Sequence, residues 1–111
     1  MDWIKTINNA IEYMEGHLTD EITLADTANH VHLSAFHFQR AFSLLTGLSP
    51  AEYLRKRRLS QAAADLTNGK DKVIDVAFRY CYDSPESFAK AFARFHGCSP
   101  MQAKKAAPFS S

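Results

Sequence analysis

The chain has 111 residues, 46% of them hydrophobic and 23% charged, with a formal net charge of +1. That length holds one domain or two very small ones, and the apolar content is too high for a disordered chain. Apolar runs never exceed three residues, as in Val76-Ala77-Phe78, whereas a membrane span needs about 20; Met1-Asp2-Trp3-Ile4 lacks the features of a secretory signal, and Cys81 and Cys98 are too few for a disulfide framework.

Helical periodicity dominates. Ile4, Ile7, Ile11 and Met14 make the apolar stripe of a first helix, with Asp2 placed to cap it and Gly16 to end it. Thr23 caps a short segment from Leu24 to about His30, and Ser34 caps a third from Ala35 to Thr46, closed by Gly47. Ser49-Pro50, a cap followed by proline at the first helical position, opens the longest helix, to about Leu66, before Asn68-Gly69. Asp71 caps a fifth from Lys72 to Tyr80, Ser84-Pro85 opens a sixth that stops at His96-Gly97, and Ser99-Pro100 opens a short last one. No stretch alternates with period two between turn signals. The expectation is an all-α chain of about seven helices.

The punctuation repeats. Ser34, Gly47, Ser49 and Pro50 recur as Ser84, Gly97, Ser99 and Pro100, and Phe38, Ala41 and Phe42 recur as Phe88, Ala91 and Phe92. Arg40 is answered by Lys90, and with a one-residue slip Asp26 and Ala28 are answered by Asp75 and Ala77. Such an internal repeat reads as two copies of a short helix, a turn and a longer helix. The copies are either generic helical hairpins or helix-turn-helix units. Two details favour the second. Ala28 and Ala77 put a small residue where the helices cross. Phe38, Phe42 and Leu45, like Phe88, Phe92 and Phe95, offer a stripe to bury, which leaves the opposite face of the second helix free.

The order Leu24-Ala25-x-x-Ala28, Ser34-x-Phe36-His37-Phe38-Gln39-Arg40-x-Phe42, then Gly47-x-Ser49-Pro50-x-x-Tyr53-Leu54-Arg55, resembles the first half of the DNA-binding domain of AraC/XylS-type bacterial transcription regulators. Val76-Ala77-x-x-Tyr80-x-Tyr82-x-Ser84-x-x-x-Phe88-x-Lys90-x-Phe92, then Gly97-x-Ser99-Pro100, resembles the second half. The resemblance spans about residues 5–106. It implies two helix-turn-helix subdomains, 1–49 and 68–107, joined by a linker helix, 50–67, with 108–111 as a tail or linker. The family usually has glycine in the turn before each recognition helix. Here His32 and Cys81 occupy those places, and both are strained if the turns need positive φ. Ala103 stands where the family has tyrosine.

The implied activity is sequence-specific DNA binding at two adjacent major-groove half-sites. The copies run head to tail, so the site should be asymmetric rather than palindromic. The helical part of the linker from Pro50 to Leu66, 17 residues, spans about 25 Å against ~34 Å between successive major grooves, so the expectation is that the DNA bends or that one unit engages backbone only. Gln39 suits adenine and Arg40 suits guanine or phosphate. Phe36 either touches a thymine methyl or packs under the turn, and His37 either donates to phosphate or is an ordinary surface histidine. Ser43 shares that face. In the second unit Glu86, Ser87, Lys90 and Arg94 are the candidates. Glu86 either accepts from cytosine or simply favours the helix dipole, and Pro85, Glu86, Ser87 and Ala89 make a poor base-reading set. Of Arg55-Lys56-Arg57-Arg58 only one or two reach phosphate, with Arg57 the candidate, while others pair with carboxylates such as Asp65 or Glu52.

Other classes find little support. His30, His32 and His37 cluster without a zinc-ligand spacing, no nucleophile motif or phosphate loop is present, and Cys81 and Cys98 read as buried structural thiols. No catalytic residue, metal or cofactor is expected, and cytoplasmic location is. The alternative is a helical protein-interaction module that keeps the fold without reading DNA. Partners are double-stranded DNA, with RNA polymerase or a ligand-binding domain of a longer parent chain as candidates for the acidic first helix, which is otherwise a solvated face. The chain is either a stand-alone regulator or a DNA-binding part of a longer one. The near-neutral charge conceals a division: residues 1–33 carry −5 and residues 34–111 carry +6, so the basic part begins at the first recognition helix.

Overall fold

The computed structural model describes residues 1–106 and places seven helices in them: α1 (Trp3–Glu15), α2 (Leu24–His30), α3 (Ala35–Thr46), α4 (Pro50–Thr67), α5 (Val73–Arg79), α6 (Pro85–His96) and α7 (Pro100–Lys105). The expected tail, residues 108–111, and residue 107 lie outside the described residues. Among the described residues no helix is long and apolar enough to cross a membrane. The chain divides into two compact units, Met1–Arg55 and one that starts at Lys56. The division falls inside α4, so that helix gives its first residues to one unit and the rest to the other.

Local chemistry sets the helix ends. Asp2 accepts from the Lys5 N–H at 3.1 Å. Thr23 and Asp26 cap each other's backbone at 3.1 and 2.8 Å, Ser49 and Glu52 do the same for α4, and Ser99 and Gln102 for α7. One expected cap is absent. The N-cap of α5 is Lys72, with no side-chain cap bond, and the Asp71 carboxylate instead accepts from Arg79 at 3.1 Å. A guanidinium offers a carboxylate a charge-assisted bond, stronger than a neutral amide does. The Asn68 side chain takes over the turn, accepting from Lys70 N–H at 2.7 Å.

The first unit buries Ile7, Ala10, Met14, Ala28, Val31, Phe38 and Phe42, with Ile11, Leu33, Tyr53 and Leu54 packed against them. Ile4, expected in the stripe, is 68% exposed. The buried face of α1 runs through Ile7, Ala10 and Met14, and at about 100° per residue Ile4 points about 90° from its middle. Tyr53 ties α4 to α1 by donating to Glu15 at 2.8 Å, and its ring meets Phe42 edge-on at 5.7 Å.

The second unit buries Leu59, Ala62, Leu66, Val76, Ala77, Tyr80, Phe88, Phe92 and Pro100. Asp65 on α4 accepts from Tyr80 at 2.7 Å and Arg79 at 2.8 Å, so it serves α5 and not the Arg55–Arg58 run expected to pair with it. Burial, then the bond to Asp65, raises the Tyr80 phenol above its ordinary value, and Arg79 holds the Asp71 carboxyl below its own. His96 in the last turn of α6 lies 2.9 Å from the Leu59 carbonyl.

Leu45 and Phe95, expected in the buried stripes, are 49% and 40% exposed. They share the stripe's angle but stand in the last turns of α3 and α6, where burial also requires an element to cover them. Cys81 and Cys98, expected to be buried, are half-buried, because each sits in a surface turn.

Candidate nucleic-acid interface

Each unit builds the same device from its own residues. After α2, the Leu33 N–H bonds the Ala28 carbonyl at 3.0 Å and the His32 N–H bonds the Asn29 carbonyl at 3.1 Å. After α5, Tyr82 bonds Ala77 at 3.0 Å and Cys81 bonds Phe78 at 3.1 Å. This paired six-to-one and five-to-two closure requires its fifth residue in the left-handed region. His32 has φ 61° and Cys81 has φ 70°, the strain expected where glycine is absent. The turn reverses the chain within three residues and sets the next helix across the first, with Ala28 and Ala77 fully buried at the bend.

The helices that follow match closely. Ser34 accepts from His37 N–H and Ser84 from Ser87 N–H, both at 3.1 Å. Phe38–Phe42 and Phe88–Phe92 ring centres are both 5.6 Å apart, and Gly47 and Gly97 end the helices at φ 78° and 79°. With the phenylalanines fully buried, the face opposite them is fixed. Arg40 in α3 and Lys90 in α6 each lie about 180° from the midpoint of their phenylalanine pair, and both are exposed.

In the first unit Phe36, Gln39, Arg40 and Ser43 line one shallow groove with Leu44. Phe36 is 67% exposed, so it does not pack under the turn. His37 lines the adjoining groove with Trp3 and Arg40. The Ser34 hydroxyl lies 2.8 Å from His37 Nδ1, which leaves Nε2 as the outward ring nitrogen. In the second unit Glu86, Ser87, Lys90 and Arg94 are all exposed. The Ser87 hydroxyl is engaged locally, donating to Asp83 at 3.1 Å or to the Ser84 carbonyl at 3.0 Å, and Glu86 sits in the first turn of α6. Arg57 is half-buried on α4 and is engaged within the protein. Trp3 carries no motif and was not among the expected site residues. Its place on α1 one turn before the buried Ile7 is the only signal in the sequence that points it inward toward α3. Among the described residues no group of three or more His, Cys, Asp or Glu side chains is placed to hold a metal ion.

Charge divides between the units. The first, through Arg55, holds seven acidic and three basic side chains, and the second holds five acidic and ten basic.

A helix-turn-helix domain family matches residues 27–106. The chain belongs to the AraC/XylS family of DNA-binding transcription regulators. Within that family it is 39% identical over 94 residues to the transcriptional activator AarP of Providencia stuartii, covering 85% of this chain and 70% of that one. It is 31% identical over 111 residues to the right origin-binding protein of Escherichia coli K12, covering all of this chain and 38% of that one. An AraC-type regulator structure from Chromobacterium violaceum shares the fold with a TM-score of 0.90 at 18% identity, over 97% and 96% of the two chains. The DNA-binding domain of AdpA, solved with a target DNA, matches with a TM-score of 0.84 at 28% identity, over 91% of each. This AraC/XylS chain thus spans most of one relative and little more than a third of another.

Proposed function

We propose that this regulator reads an asymmetric DNA site with a division of labour between its units. The first unit reads bases: Gln39 and Arg40 present an amide and a guanidinium to base edges, Phe36 meets a thymine methyl, Ser43 lies beside them and His37 donates to phosphate. The second unit anchors: Lys90 and Arg94 bind phosphate, with Arg57 a further cationic contact, while Glu86 and Ser87 contribute little direct readout. Each unit, with its share of α4, acts as one helix-turn-helix subdomain. The observation that carries this reading is the pairing of an acidic unit whose exposed helix face holds an amide, a guanidinium and an aromatic ring with a basic unit whose equivalent face holds Glu86, Ala89, Lys90 and Ala93. An acidic unit near a polyanion must earn its place by specific contacts, whereas a basic one binds any sequence.

By analogy with AarP, whose name records activation, the regulator activates transcription, and RNA polymerase or a companion ligand-binding domain is the partner of its acidic α1. Such a DNA-binding protein works in the cytoplasm and needs no cofactor or catalytic residue. Hydroxyl-radical footprinting on a bound site, which reads the sugar-phosphate backbone, combined with methylation interference at the bases and circular-permutation gel shifts, tests the division. Two protected tracts about one helical turn apart on one DNA face, with either a bend or a backbone-only second tract, support it. Straight DNA with base contacts in both tracts refutes it.

A further inference from the structure

Trp3 opens α1 and is 43% exposed. It lines a groove with His37, Arg40, Ala41, Leu44 and Leu45 of α3, where Leu44 is 78% exposed. Among the described residues no hydrogen bond engages its indole N–H. One aromatic ring and two leucines open to solvent in a single groove mark a surface that something covers. Two observations say what. Arg40 and Leu44 also line the groove of Phe36, Gln39 and Ser43, so the two grooves lie on adjacent flanks of α3 with the Arg40–Leu44 ridge between them. The charged or titratable side chains that line the Trp3 groove are Arg40 and His37, with no carboxylate among them.

We infer that this groove takes the phosphodiester strand flanking the major groove that α3 enters, with the Trp3 indole N–H donating to a phosphate oxygen and its ring lying on a deoxyribose. An α-helix with its side chains is about 10–12 Å across and the major groove is about 12 Å wide, so a helix seated there holds both phosphate walls beside its flanks. Trp3 stands on the His37–Ala41 flank. Tryptophan carries no charge, so this contact adds affinity without releasing a counterion. The inference rests on α3 being the helix that enters the groove.

Trp3 is the chain's single tryptophan, so its emission reports this groove alone. The experiment titrates the whole protein with a fluorescein-labelled duplex of mixed sequence, about 30 base pairs or three helical turns, at low salt. It follows anisotropy of the DNA and acrylamide quenching of Trp3. The expected result is a fall in quenching with the same midpoint as the anisotropy. Trp3→Phe, which keeps the ring and loses the hydrogen bond, should weaken binding roughly tenfold, the scale of one hydrogen bond to a charged group, and Trp3→Ala should weaken it further, with an unchanged salt slope in both. A full anisotropy change with Trp3 still as open to acrylamide as in the free protein overturns the inference and leaves the reading of α3 standing. Parent-like binding by both variants does the same. Emission that shifts with protein concentration in the absence of DNA marks a protein-covered groove and also overturns it. No anisotropy change overturns the reading of α3 and this inference together.

Discussion

Replacing His32 with glycine should stabilise the first unit by up to about 0.6 kcal/mol. His32 holds φ 61° because the turn from α2 into α3 demands it. An L-residue in the left-handed region costs roughly 1–2 kcal/mol, and histidine, one of the side chains that tolerates it best, sits at the low end. Glycine removes that cost and returns about 0.4–1 kcal/mol of it through a more flexible unfolded chain. The imidazole is exposed, so little packing is lost. Cys81, at φ 70°, begins with more strain, but its side chain is half-buried and has packing to lose, so Cys81→Gly should gain no more than His32→Gly. A gain of about 0.5 kcal/mol raises Tm by about 2–4 °C in a domain of this size, within reach of calorimetry or circular dichroism. His32→Ala is the control: it keeps the left-handed strain and should show no gain. A lower Tm for His32→Gly, or an equal gain for His32→Ala, would refute the assignment of strain to these turns.

Acid should weaken the second unit in a way that depends on Arg79. The Asp71 carboxyl titrates below its ordinary value, chiefly because Arg79 bonds it. Its contribution is therefore complete above about pH 4 and is lost as pH falls through the folded value; in Arg79→Gln the stability lost between neutral pH and about pH 3 should be smaller. Ala77→Leu should destabilise by about 1–3 kcal/mol through overpacking, read by urea unfolding, because Ala77 is wholly buried with its carbonyl held by the turn. Lys90→Ala should lower the slope of log affinity against log salt by about one and weaken all sequences alike.

The readable parts of this chain are those governed by chemistry within four residues. The caps at Asp2, Thr23, Ser34, Ser84 and Ser99 bond the backbone three residues on, and the repeat spacing carried the two turns, while the φ of His32 and Cys81 was legible only through the family resemblance, which puts glycine at those places. The misreadings are tertiary. Asp71 looks like a cap until Arg79, eight residues away, takes its carboxylate. Asp65 looks like a partner for the basic run until α5 folds back on α4 with Tyr80 and Arg79. Leu45, Phe95 and Ile4 have apolar side chains, but the described residues cover them only in part. The face of α3 was legible because Phe38 and Phe42 fix its reverse. Trp3 was not, because its neighbours in the groove lie some 35 to 40 residues along the chain.

Selection of bound sequences from a random DNA pool, run in parallel with the parent protein and Arg40→Ala, tests the central claim most directly. The division of labour predicts an asymmetric site for the parent, one half sharply defined and the other loose. It predicts that Arg40→Ala flattens one position of the sharp half and leaves the loose half as it was. A palindromic motif, no enriched motif, or an Arg40→Ala selection identical to the parent's would contradict it.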